Sequence, residues 1–153
     1  MELSRYPEPT VSAIIFNPDN EILLCKSSKW NNEYVIPGGH IETGERMEEA
    51  LRREIKEETG LSIYDIRLIG LQECISSNKF HTDKHFIFID YTCRTDSKEV
   101  LLNDEAQEFI WIKLEDAYKL NLGGYTGLLI KELINQETST NRHTIFYNYV
   151  GGE

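Results

Sequence analysis

The chain has 153 residues, 40% of them hydrophobic, and carries 26 acidic against 16 basic side chains for a formal net charge of −10. That length suits one domain, spanning 1–153, that buries a core without disulfides. The charge repels nucleic-acid backbones and anionic membranes, so neither a long nucleic acid nor a membrane is an expected partner. No apolar run approaches the ~20 residues that cross a bilayer. Met1 to Tyr6 lacks a basic stretch leading into an apolar one, so no secretory signal is read there and a cytoplasmic protein is expected. The same charge repels phosphorylated small molecules, so any phosphate site needs local positive charge, which a divalent cation supplies.

In chain order, Val11 to Phe16 reads as a strand, Asn17-Pro18-Asp19-Asn20 as a turn, and Glu21 to Cys25 as the returning strand. Trp30 to Glu33 reads as loop. Tyr34-Val35-Ile36 is strand-like and runs into Pro37 and a Gly38-Gly39 turn. From Glu45 to Thr59 the apolar residues Met47, Ala50, Leu51 and Ile55 recur at helical spacing, and Gly60 suits a left-handed cap. Ile63 to Glu73 and His85 to Arg94 read as strands, the second rich in β-branched and aromatic residues. Phe109 to Ile112 is a further strand, Leu114 to Leu120 a short helix, Tyr125 to Gln136 a longer one, and Thr144 to Val150 a last strand. The interspersion predicts an α/β fold, a mixed sheet with helices packed on it. Cys25, Cys74 and Cys93 have no metal-binding or redox spacing and are expected to be small buried side chains.

On the helix predicted over 45–59, Glu54, Glu57 and Glu58 are spaced i, i+3 and i+4 and fall on much the same side. As structure alone this is unfavourable. Like charges at those spacings repel by a few tenths of a kcal/mol per pair, and carboxylates near a helix C-terminus oppose its dipole. A bound Mg²⁺ or Mn²⁺ reverses these signs, since hard cations take carboxylate oxygens. Arg53 lies four residues after Glu49 and four before Glu57, which surface ion pairs also explain.

The full spacing decides between these readings. It runs Gly39, five residues, Glu45, seven residues, Arg53-Glu54-Ile55, one residue, Glu57-Glu58, one residue, Gly60-Leu61. This resembles the signature box of the Nudix hydrolase family at every defining position. The resemblance implies an α/β/α sandwich with a mixed sheet and a loop–helix–loop catalytic motif. It implies metal-dependent hydrolysis of a diphosphate linkage in a nucleoside triphosphate or nucleoside diphosphate derivative. It makes Glu54, Glu57 and Glu58, with the Gly39 carbonyl, the metal ligands for Mg²⁺ or Mn²⁺. Arg53 and Glu45 then tie the loop to the helix. The general base in such enzymes often lies outside the box, and Glu105 and Glu108 are the candidates, with Glu54 the alternative.

Weaker signals surround this core. His40, Lys79, Phe80, His81 and His85 are candidate substrate contacts in polar loops. Trp30 and Tyr34 are candidates for a stacking wall, with core packing the better account of Tyr34. Gly123-Gly124 and Gly151-Gly152 lack the lysine and spacing of a phosphate-binding loop. A Nudix-fold nucleotide sensor or scaffold without turnover is the alternative function, and the intact carboxylate set argues against it. The absence of a basic stripe disfavours an mRNA-decapping-type enzyme. The family's ADP-ribose enzymes tend to carry a proline some fifteen residues after the box, and Gly70 to Ser77 has none. The apolar C-terminal segment either joins its own sheet or pairs with a second subunit. A homodimer is the expectation there, with an intrachain strand the alternative.

Overall fold

In a computed structural model, residues 6–76, 84–137 and 145–151 are described. The strands are β1 (Glu8–Phe16), β2 (Glu21–Ser27), β3 (Glu33–Val35), β4 (Gly38–His40), β5 (Tyr64–Ser76), β6 (Lys84–Arg94), β7 (Glu108–Lys113) and β8 (Phe146–Gly151). Helix α1 is Met47–Thr59 and α2 is Gly124–Glu137, with short 3₁₀ turns at Ser28–Trp30 and Leu114–Lys119. One sheet runs β3-β2-β1-β6-β5-β8, with β4 also on β1 and β7 also on β2. The pairs β1–β6 and β5–β8 are parallel and the others antiparallel, so the sheet is mixed as expected.

Alternation along β1 builds two cores at once. Val11, Ala13 and Ile15 pack with Ala50, Leu51 and Ile55 of α1 on one face. Ile14 packs on the other face with Ile22 and Leu24 of β2 and with Leu129 and Ile130 of α2. Strand side chains alternate between faces, so both helices find an apolar surface on the same strand, giving an α/β/α sandwich. Leu51 is wholly buried, and Leu51→Ala in such a site typically costs about 2–5 kcal/mol. Helix α1 ends where expected: Gly60 has φ 76° and its N–H donates to the Lys56 carbonyl at 2.9 Å.

Two readings change. Gly38–His40 is a strand, not a Gly-Gly turn: it pairs antiparallel with β1, Gly39 opposite Val11. Met47 is 43% exposed, because the stripe of α1 that meets the sheet begins one turn later, at Ala50 and Leu51. The C-terminal strand pairs in parallel with β5 of its own chain, Leu71 opposite Tyr147. Among the described residues no strand lies against its outer edge.

The site is made possible by a parting of strands. β1 and β2 pair at the hairpin end, Phe16 opposite Ile22. Further along, β4 lies against β1 and β3 against β2, and the Ile36-Pro37 link crosses the gap. The Pro37 carbonyl accepts from the Ala13 N–H at 3.2 Å.

Candidate active site

The loop between β4 and α1 is fixed to the helix by Arg53. Its Nε and Nη2 donate to the two Glu45 oxygens at 2.7 and 2.9 Å, and Nη2 also reaches the His40 carbonyl at 3.0 Å. Nη1 donates to Glu54 at 2.9 Å and to Glu57 at 3.3 Å. Glu45 also accepts from the Glu42 N–H. The Arg53 bonds and that N–H hold the Glu45 carboxyl down at about 2, and Glu45 pushes Arg53 further up from its already basic value. Arg53 thus bonds at once to Glu45 and the His40 carbonyl on the loop and to Glu54 and Glu57 on the helix.

A cavity of about 700 Å³ opens in the gap between the parted strands. Glu54 and Glu58 of α1 line it, together with Gly38, Gly39 and Glu105. A side chain at Gly38 has no room, since its Cβ would stand 2.1 Å from the Val11 carbonyl oxygen, and one at Gly39 would displace the Glu54 carboxyl, 2.3 Å away. The Gly38 N–H donates to Glu58 Oε2 at 3.1 Å. Burial first, then the charges of Glu54 and Glu105, push Glu58 up to about 8 against the pull of that N–H. Glu105 sits on a loop strung between two elements. Leu101 N–H bonds to the Thr59 carbonyl at the end of α1, and Gln107 N–H to the Lys26 carbonyl in β2. Lys29 Nζ meets Glu105 at 2.9 Å from the adjoining 3₁₀ turn.

These donors suit a hard divalent cation. The Glu54 carboxyl packs against the bare Gly39 backbone, and burial together with the neighbouring carboxylates raises Glu58 to about 8, a cost that a bound cation would offset. Among the described residues no three His, Cys, Asp or Glu side chains already converge as an enclosing set. Glu54 and Glu58 face the cavity, whereas Glu57 is largely exposed, with Arg53 as its ion-pair partner.

The remaining candidates separate. Glu105 lines the cavity; Glu108, at the start of β7, does not, and pairs with Lys26 at 3.7 Å. His40 lines it, with Nε2 3.0 Å from Glu8 Oε1. His85 does not line it: strand alternation turns it away from Phe86 and Phe88, which do. Lys79, Phe80 and His81 lie outside the described residues. Trp30 borders the cavity and Tyr34 packs with the α2 core. The three cysteines are buried free thiols, and Cys25, close to Glu58, is pushed up to about 12 by burial and that carboxylate. Sequence reasoning missed Ser12, Gln72 and Asp90, buried polar residues that line the same cavity. Polar residues at inward positions of apolar strands were the available signal.

Among the described residues no helix is long and apolar enough to cross a membrane. The family model for the NUDIX domain matches residues 6–129. The chain is 32% identical over 137 residues to the nucleoside triphosphatase NudI of Escherichia coli K12, covering 82% of this chain and 97% of that one. The crystal structure of a MutT protein from Methanosarcina mazei Go1 superposes with a TM-score of 0.74 at 25% identity, over 90% of this chain and 100% of that one. A NUDIX hydrolase from Nitrosomonas europaea gives 0.78 at 14% identity, over 99% and 82%, which speaks to fold alone. With the box, the sandwich and these likenesses in agreement, the chain belongs to the Nudix family of pyrophosphohydrolases.

Proposed function

We propose that this protein hydrolyses a diphosphate linkage of a nucleoside triphosphate or a nucleoside diphosphate derivative, in the cytoplasm, as a single domain over 1–153. The observation that carries the reading is the meeting of Glu54, Glu58 and Glu105 in one cavity against the Gly38-Gly39 backbone. The NudI relatives favour a triphosphate. Buried, unpaired thiols suit a reducing compartment.

Glu54, Glu57, Glu58 and the Gly39 carbonyl would hold the cation, Mg²⁺ with Mn²⁺ as the alternative. Such an ion, when bound, neutralises diphosphate oxygens and acidifies a water. The chain's own residues do the rest. Arg53 keeps Glu54 and Glu57 oriented and ties Glu45 and the His40 carbonyl to the helix. His40 and Lys84, both on the cavity wall, meet the phosphate oxygens. Glu105 takes the proton from the attacking water at its carboxylate, and the distal phosphate departs in line. Glu105 is favoured over Glu108 because only Glu105 faces the cavity. A panel of triphosphates, nucleotide sugars and dinucleoside polyphosphates, assayed with Mg²⁺ and with Mn²⁺ and with products identified by mass, tests the reading. Cleavage between two phosphates of at least one member is expected; no turnover of any would reject it.

A further inference from the structure

The same cavity holds a second buried carboxyl group, that of Asp90, which the hydrolytic reading does not use. Phe86, Phe88 and Asp90 stand at alternate positions of β6 and so face the same way, into the cavity. Asp90 is 2% exposed, Ser12 8% and Gln72 1%. Ser12 Oγ donates to Asp90 Oδ1 at 2.8 Å, and Gln72 Nε2 donates to Asp90 Oδ2 at 2.9 Å. The same Gln72 nitrogen donates to the Tyr125 carbonyl at 3.2 Å, and its oxygen accepts from Asn148 at 3.2 Å.

The hydrogen-bond inventory is decisive. A serine has one O–H to give and a primary amide two N–H, and all three are spent here. What this patch still offers is lone pairs: one on each carboxylate oxygen, and those of Ser12 Oγ. An acceptor-only patch repels phosphate and attracts N–H donors. The wall beside it is aromatic. Phe86 and Phe88 stack with centroids 5.4 Å apart, and Phe88 meets Tyr125 at 4.9 Å. A flat, apolar ring bearing an N–H on its edge fits both features.

We propose that Asp90, braced by Ser12 and Gln72 beside Phe86, Phe88 and Tyr125, reads the pairing edge of the substrate's nucleobase and selects bases with a ring N–H there. Guanine and the uracil-type pyrimidines present that donor. Adenine and cytosine present a ring-nitrogen lone pair at the same place, which faces the carboxylate's own lone pairs. This inference rests on the nucleotide-hydrolase reading for the identity of the ligand.

Binding measured by calorimetry without metal tests it apart from turnover. GMP and UMP should bind about tenfold or more tighter than AMP and CMP, the scale of one well-made base contact. N1-methyl-GMP and N3-methyl-UMP, which lack the N–H, should lose that advantage without any change to the protein. Asp90→Asn, which offers an N–H of its own, should bring the four affinities together. kcat/KM for GTP, UTP, ATP and CTP with Mg²⁺ should follow the same order. Equal binding of all four monophosphates, retention of affinity by the methylated ligands, or a uniform loss in Asp90→Asn would overturn the inference. The expected binding order without turnover of any triphosphate would support it while rejecting hydrolysis.

Discussion

Two regions of the cavity, around Glu58 and around Asp90, keep their buried carboxyl groups in opposite ways. Glu58 is pushed up to about 8 by its burial, with the carboxylates of Glu54 and Glu105 adding to it, and the Gly38 N–H and the charge of Lys29 only partly oppose them. Asp90 is the more deeply buried, yet it rises only to about 6, because Gln72 and Ser12 both donate to it. Burial alone therefore does not set the cost of an inward-facing acid; the donors around it do. The Asp90 region is completed by the protein itself. The Glu58 region is left short of positive charge, as a place for a cation should be.

The largest break in this comparison should come from Glu58→Gln. The amide oxygen still accepts from the Gly38 N–H, so the fold survives, while turnover with Mg²⁺, read as product by mass, falls by orders of magnitude. Near wild-type turnover would remove Glu58 from the reaction. The next effect separates the two acids outside the box. Glu105→Gln should lose at least about 100-fold in kcat, the lower end for general-base catalysis, with its pH profile flattened on the acid side. Glu108→Gln, on an exposed carboxylate paired with Lys26, should leave both unchanged. Equal profiles in the two variants would return the role to Glu54.

The smallest effect belongs to Asp90. Its folded value of about 6 lies above the ordinary 3.8, so the native state holds its proton more tightly than the unfolded chain. The stability it contributes is complete below 3.8 and is lost as pH rises through 6. The groups bonded around it, Ser12 from β1, Gln72 from β5 and through it the Tyr125 carbonyl of α2, are all uncharged. Between pH 4 and 7 the wild type should lose roughly 1–3 kcal/mol relative to Asp90→Asn, read from paired denaturant melts. Parallel curves would mean that Asp90 does not titrate in that window.

The same contrast explains what the sequence reveals. The Glu58 region is written in one contiguous stretch, Gly39 to Leu61, because a loop and the helix after it supply its donors. Its spacing is readable without knowing how the sheet is arranged. The Asp90 region draws Ser12, Gln72, Asp90 and Tyr125 from β1, β5, β6 and α2. No local pattern joins them: the β1–β6 and β5–β6 registers bring the first three together, and the Gln72 bond to the Tyr125 carbonyl adds α2. Periodicity located most strands and both helices, since alternation and helical spacing are local signals. It misread Gly38–His40, where a strand of glycines has no side chains to alternate. It placed Glu57 with its neighbours on α1; Arg53 Nη1 bonds to both Glu54 and Glu57, and of these two Glu54 lines the cavity.

The parting of β1 and β2 has a consequence for what can enter. An opened sheet ordinarily exposes rows of unpaired N–H and C=O groups that capture any extended peptide. Here β4 occupies the parted flank of β1 while β6 holds its other side, and β3 occupies the parted flank of β2 while β7 holds its other side. The gap is thus flanked by β3 and β4, not by the parted edges of β1 and β2 themselves. The backbone of β1 and β2 is thereby closed to an extended peptide, whereas a compact ligand that needs side-chain oxygens and an aromatic wall finds both in the cavity.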